Sequence, residues 1–299
     1  MIDQSYLEKG LTALAHAGTK SVFSGHYGAA FLAAYFMNES HDLPSYVQEG
    51  LVRNCEQIEQ SHSEFFQLFE QATASKDLVD KLVRSIDLNL AQLRSSGHGV
   101  ILGVLALKAL LERPELCTEK IVEGITLLVE NAVDDRGDRY YGYDDYRIVE
   151  SNDVFGIPEY HSIVDMVEVA FAECRFAAPD RKVGNRFYFF SGELEHGVTL
   201  AHAIVELDKL GYNSLVKKGL AIHRIQMHLN RQRPEEVLRE VVVKPTYSSV
   251  FDESYWRQTF TDPHSIKVPY SALSLFKDLS EQKKREAEFN ICKVLSNLS

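Results

Sequence analysis

Three times this chain opens an apolar stretch with a histidine set among small residues. The phrases are Ser24-Gly25-His26-Tyr27-Gly28-Ala29-Ala30, Ser96-Gly97-His98-Gly99-Val100-Ile101-Leu102 and Glu195-His196-Gly197-Val198-Thr199-Leu200-Ala201-His202, with a weaker fourth at Pro158-Glu159-Tyr160-His161-Ser162-Ile163. Stretches apolar on every side are helices meant for an interior, since a surface helix keeps one polar face. Glycine lets neighbouring backbones approach closely. A polar ring repeated at the start of buried helices predicts one shared site at one end of a helical array.

Apolar residues recur three and four apart over 5–16, 26–37, 44–58, 64–72, 77–93, 98–112, 118–132, 160–174, 196–210 and 214–229, the period of an α-helix. Stops are marked at Asn38-Glu39-Ser40, Pro114, Pro179-Asp180, Gly211-Tyr212-Asn213 and Pro234. The stretch from His98 has no charge before Lys108, whereas 118–132 carries Glu119, Lys120, Glu123 and Glu130. An inner helix paired with a solvated outer one recurs in 26–37 with 44–58 and in 196–210 with 214–229. The expected fold is all-α: an array of helical hairpins forming an α/α toroid-like single domain over 1–299. Two segments break the helical period. Residues 133–158, with Tyr140, Tyr141, Tyr143 and Tyr146, read as a long loop that could line a cleft. Residues 241–270, with Pro245, Trp256, Pro263 and Pro269, read as irregular, followed by helices at about 271–279 and 281–298.

The net charge of −11 argues against nucleic acid, which needs a basic footprint, and against an anionic membrane surface. No apolar run is expected to reach the length needed to span a bilayer, and the first residues, Met1-Ile2-Asp3-Gln4-Ser5, lack the basic region and apolar stretch of a secretory signal. Cys55, Cys117, Cys174 and Cys292 are too scattered for a zinc ribbon or a disulfide framework. A cytoplasmic protein acting on a small-molecule substrate is the expectation.

In an array of hairpins the inner helices run in one direction, so His26, His98, His161 and His196 would gather at one face. The positive end of each helix and burial both disfavour imidazolium, so neutral rings able to move a proton or polarise a substrate are expected. Metal spacing within one helix is absent, because His196 and His202 are six apart and His223 and His228 five apart. A metal would have to be assembled from different helices, for example by His26, His98 and His196 in a hydrolase or cyclase. Thr261-Asp262-Pro263-His264-Ser265-Ile266-Lys267 reads as a capped helix start, with Asp262 as cap and Pro263 at the first position. It adds another first-turn histidine and a cation. Neither a nucleophile elbow nor a dinucleotide fingerprint is visible.

Four phrases in order resemble the questin-oxidase-like family: Gly25-His26-Tyr27-Gly28-Ala29, His98-Gly99-Val100-Ile101, His196-Gly197-Val198-Thr199-Leu200-Ala201-His202-Ala203 and Pro263-His264-Ser265-Ile266-Lys267. The chain departs from the family pattern at Gly25, which replaces an Asn, and at Leu105, which replaces a second histidine. The resemblance implies a helical oxidoreductase that inserts oxygen, Baeyer–Villiger fashion, into an apolar aromatic or polyketide-like ketone or quinone, with NADPH as candidate reductant. It implies His98 and His196 as acid/base groups, His26 and His202 as orienting groups, and His264 with Lys267 as stabilisers of developing negative charge. Tyr27, His161, Tyr141 and Tyr143 are the candidate substrate contacts. The alternatives are the metal-dependent hydrolase or cyclase and a non-catalytic protein that binds an apolar ligand.

Overall fold

The computed structural model describes residues 1–70 and 72–298. The described residues are helical with one short hairpin, so the fold is all-α. The helices are α1 (Ser5–Ala17), α2 (Gly25–Ser40), α3 (Ser45–Ser61), α4 (Val79–Leu90), α5 (His98–Glu112), α6 (Glu119–Asn131), α7 (Ile163–Glu173), α8 (Gly192–Lys209), α9 (Asn213–Asn230), α10 (Glu235–Leu238), α11 (Glu253–Trp256), α12 (His264–Phe276) and α13 (Glu281–Leu295). Strands β1 (Arg181–Val183) and β2 (Arg186–Tyr188) pair antiparallel, with Lys182 opposite Phe187. The residues group into two compact units interleaved along the chain. One holds 1–89, 98–134 and 251–270, the other 90–97, 135–250 and 271–299. No single cut of the chain separates them.

In the first unit, α2 and α5 are the inner helices. Gly25–Met37 is buried without a break, and so is His98–Leu107. The outer helices bury one stripe each. In α3 it is Val47, Gly50, Leu51, Asn54, Cys55 and Ile58, and in α6 it is Ile121, Val122, Ile125, Thr126, Leu128 and Val129. The charged residues Glu119, Lys120, Glu123 and Glu130 of α6 are exposed. α1 and α2 are antiparallel, because Gly10 meets Leu32 and Gly28 meets Leu14. A Cβ on Gly18 would stand 2.2 Å from the Gly124 carbonyl oxygen, so α1 and α6 touch at a separation that only glycine allows.

The second unit repeats the arrangement with α8 and α9. Gly192–Leu207 is buried throughout. Gly197 faces Met227 and Gly219 faces Ile204, which makes the pair antiparallel. Asp180 Oδ1 accepts the Ser191 and Gly192 N–H groups at 2.7 and 3.3 Å, at the start of α8. The hairpin was missed from sequence, although Val183-Gly184-Asn185-Arg186 carries a two-residue Gly-Asn turn signal.

Three expectations need correction. The helix expected over 64–72 is a single 3-10 turn at Ser63–Phe65. The residues that follow up to 70 form no regular helix, and their aromatic rings are anchored separately: Phe66 on Phe31 and Phe69 on His16. Residues 95–112 are, by length and composition, apolar enough to cross a bilayer, and 83% of that stretch is buried inside the protein, as befits an inner helix. The irregular segment ends seven residues early, since α12 starts at His264 and carries Pro269 inside it.

Proline supplies no N–H to the carbonyl four residues back, here that of Ser265. The Tyr255 hydroxyl donates to that carbonyl at 2.8 Å, and both residues are buried. α12 therefore tolerates its proline because α11 supplies the missing donor. Tyr255→Phe would leave a buried carbonyl unsatisfied and is expected to destabilise the protein by about 1–3 kcal/mol. Urea unfolding measures this; wild-type stability in the variant would show that Pro269 is accommodated in another way.

Candidate functional site

The first unit brings three of the predicted histidines together, each at the start of a helix. His26 is the second residue of α2, His98 the first of α5 and His264 the first of α12. All are buried, at 1, 7 and 6% exposure. Their ligand-capable ring nitrogens all lie within 4.8 Å of one another. His26 Nε2 and His98 Nε2 are 3.1 Å apart. The His26 and His264 rings meet edge to face at 4.3 Å between centroids.

Local sequence explains each placement. A Cβ on Gly25 would stand 2.8 Å from Leu102 and 2.9 Å from Leu128, so the glycine before His26 lets the start of α2 press onto α5 and α6. A Cβ on Gly99 would collide with the Asn89 amide at 2.1 Å. Asn89 is itself held by donating to the Ser85 and Val129 carbonyls at 3.0 and 2.8 Å. His264 is fixed by Asp262. One carboxylate oxygen accepts from the His264 backbone N–H at 2.9 Å and from ring Nδ1 at 2.6 Å. An ionised carboxylate only accepts, so Nδ1 carries the proton and Nε2 presents its lone pair.

Electrostatics favour a neutral ring at His264. Burial pushes the His264 pKa down, the Lys267 charge adds to the effect, and the Asp262 carboxylate opposes both. Burial pushes the Asp262 carboxyl up, but its contacts with His264 and the Lys267 charge leave it below the usual carboxylate range. Lys267, one turn along α12, is 2% exposed.

Two neutral imidazoles sharing one hydrogen bond is one state of this cluster. A tetrahedral ion with Zn–N bonds of about 2.05 Å places its nitrogen ligands roughly 3.3 Å apart. The observed 3.1 Å between His26 and His98 already approaches that spacing. Three neutral imidazoles from three helices match the donor set of a catalytic zinc site, which keeps its fourth position for water or substrate. Sequence spacing could not show this, because no two of these histidines share a helix.

His196 and His202 are buried on α8 in the second unit. His196 stands more than a turn inside that helix, not at its start, since α8 begins at Gly192. Its Nδ1 is 4.0 Å from Glu193. His202 Nδ1 meets the Ser271 hydroxyl at 3.1 Å. His161 does not join a site. It is exposed, lies before α7, and its backbone N–H caps onto Asp165. Tyr27 stacks on His62 at 3.9 Å between centroids. Tyr141 packs edge-on against Tyr188, and the Tyr143 hydroxyl bonds His228 Nε2 at 3.0 Å. These two tyrosines fasten the 133–158 loop within the second unit.

Sequence reasoning gave His223 no role, and the structure makes it a fastener. Its Nε2 donates to the Gly197 carbonyl at 3.1 Å and its Nδ1 accepts from the Tyr160 hydroxyl at 3.0 Å. No described protein family, curated protein or solved structure matches this chain.

His223 is fully buried, and burial holds its pKa at about 3, with the Gly197 contact opposing. The folded state therefore refuses a proton that the unfolded chain takes below about pH 6.5. Stability from this group is complete above that pH and declines by about 1.4 kcal/mol per pH unit below it. Asp180, pushed up to about 6 chiefly by burial, acts with the opposite sign, so the two partly cancel between pH 6 and 4. The test is therefore a difference between proteins. Relative to His223→Gln, the wild type should lose about 2 kcal/mol between pH 7 and pH 5. Parallel stability–pH curves for the two proteins would refute this.

Proposed function

We propose that this protein is a metal-dependent enzyme that holds a zinc-class divalent ion on His26, His98 and His264. One observation carries the reading: three buried imidazoles from three helix starts converge within 4.8 Å, with two Nε2 atoms 3.1 Å apart. Such an ion supplies Lewis acidity, polarising a carbonyl or lowering the pKa of a bound water. His26 and His98 would give up their mutual hydrogen bond and turn both lone pairs inward. His264 needs no such change, since Asp262 already holds its proton on the far nitrogen. Lys267 adds a buried positive charge on the same helix, suited to developing negative charge on a substrate oxygen. The reaction class this supports is hydrolysis or cyclisation of an uncharged carbonyl compound.

Oxygen insertion into an apolar ketone or quinone, with NADPH as reductant and a cytoplasmic setting, is the second proposal. It is supported by the fact that the phrases at His26, His98 and His264, which resemble the questin-oxidase-like family, meet in space.

Protein purified from cells without chelator should carry about one zinc-class ion per chain, read by elemental analysis. His26→Ala with His98→Ala should lower that content at least tenfold, and chelator should lower the Tm of the wild type but not of the double variant. A folded wild type that neither carries nor takes up zinc, cobalt or manganese overturns the metal reading. Hydrolysis of aryl esters and lactones, set against NADPH-dependent oxygen consumption with quinones, separates the two reaction classes.

A further inference from the structure

Asp262 has more contacts than a helix cap requires. A cap needs one oxygen accepting from the first backbone N–H groups, and the His264 N–H at 2.9 Å meets that need. The same oxygen also takes the ring Nδ1–H at 2.6 Å, the short distance of a charge-assisted bond. The Asp262 side chain is 39% exposed and that of His264 is 7% exposed, so the carboxylate stands at the outer edge while the ring reaches inward. Asp262 is itself anchored through its backbone, its carbonyl accepting from the Ser265 hydroxyl at 2.7 Å and the Ser265 N–H at 3.1 Å. Pro263 between them pre-sets the backbone at the helix entrance. Its ring thus meets two constraints of different origin, helix entry and a carboxylate. His26 and His98 differ, because their Nε2 atoms face each other and either ring can hold the shared proton.

Building on the metal reading, we infer that Asp262 is a positioning residue that locks His264 as the Nδ1–H tautomer, making it the one ligand of the cluster prepared before the ion arrives. Carboxylate–histidine–metal relays of this kind fix ring orientation and raise the basicity of the ligating nitrogen, and their loss typically weakens metal binding 10–100-fold. Asp262 touches neither ion nor substrate in this role.

The test uses the whole protein in wild-type, Asp262→Asn and Asp262→Ser forms. Asn and Ser both keep a capping oxygen, so α12 retains its start. Asn removes the charge, and Ser is too short to reach the ring. Zinc affinity is read by competition with a chromophoric chelator. The His264 ring-nitrogen shifts are read by NMR in metal-free protein, a signal that loss of a cap alone would not move. The expected result is an Nδ1-protonated, Nε2-unprotonated His264 in the wild type and mixed tautomers in both variants. Zinc should bind the variants about 10–100-fold more weakly at unchanged cooperativity of unfolding. Equal zinc affinity in all three proteins, or an Nε2-protonated His264 in the wild type, overturns the inference. A wild type that binds no zinc overturns the metal reading instead, while the ring shifts still decide whether Asp262 sets the tautomer.

Discussion

The close seating of α2 against its neighbours is the constraint on which the site depends. Gly28 has no room for a Cβ, which would stand 2.4 Å from the Gly10 carbonyl oxygen. Gly25 is confined by the more yielding side-chain ends of Leu102 and Leu128, at 2.8 and 2.9 Å. With both glycines present, α2 sinks between α1 on one side and α5 with α6 on the other. His26, one residue along, is then carried to 3.1 Å from His98. A larger residue at Gly28 would collide with the α1 backbone, so α2 could not keep this seat. The glycines thus act on geometry first and on stability second.

Bringing three imidazoles into an apolar interior is expensive if any of them is charged. The first unit meets this with helix starts, whose dipoles disfavour imidazolium, and with a buried lysine that adds to the same pressure on His264. The Asp262 carboxylate, which touches the His264 ring, sits at the rim, not among the rings. A carboxylate inside would have favoured protonated histidine and removed the lone pairs. The arrangement is therefore biased toward neutral nitrogen donors, the form a transition metal requires.

Much of this was legible in the sequence because burial leaves a plain record. The unbroken apolar runs after His26 and His98 identify inner helices, and the charged stripe at Glu119, Lys120 and Glu123 marks an outer one. The gathering of His26, His98 and His264 follows from placing each at a helix start. What could not be read was which starts meet. His161 carries a similar phrase, yet Ser162 and Asp165 form a capping box that turns it to the surface. His196 shares the glycine context but is the fifth residue of α8, which begins at Gly192. Pro269 read as a break because its missing donor is local knowledge, whereas the Tyr255 hydroxyl that compensates for it comes from ten residues upstream. The segment after Ser63 read as helix because Phe65, Phe66 and Phe69 mimic helical spacing while binding separate partners.

The three rings of the cluster are unequal, and the inequality has a chemical sense. If each ring were locked as a donor-ready ligand, three lone pairs would face one another across a few ångströms with nothing between them, an unfavourable arrangement in a low-dielectric interior. If none were locked, an arriving ion would have to reorganise all three. Here His26 and His98 stabilise each other through one shared hydrogen bond, which an ion would replace once that proton had moved to the far nitrogen of its own ring, while Asp262 already holds the His264 proton on Nδ1. Coupling one prepared ligand to one labile pair would keep the site stable without an ion and would ask a single ring to change tautomer on loading. The orientation contributed by Asp262 would persist whether or not an ion is bound.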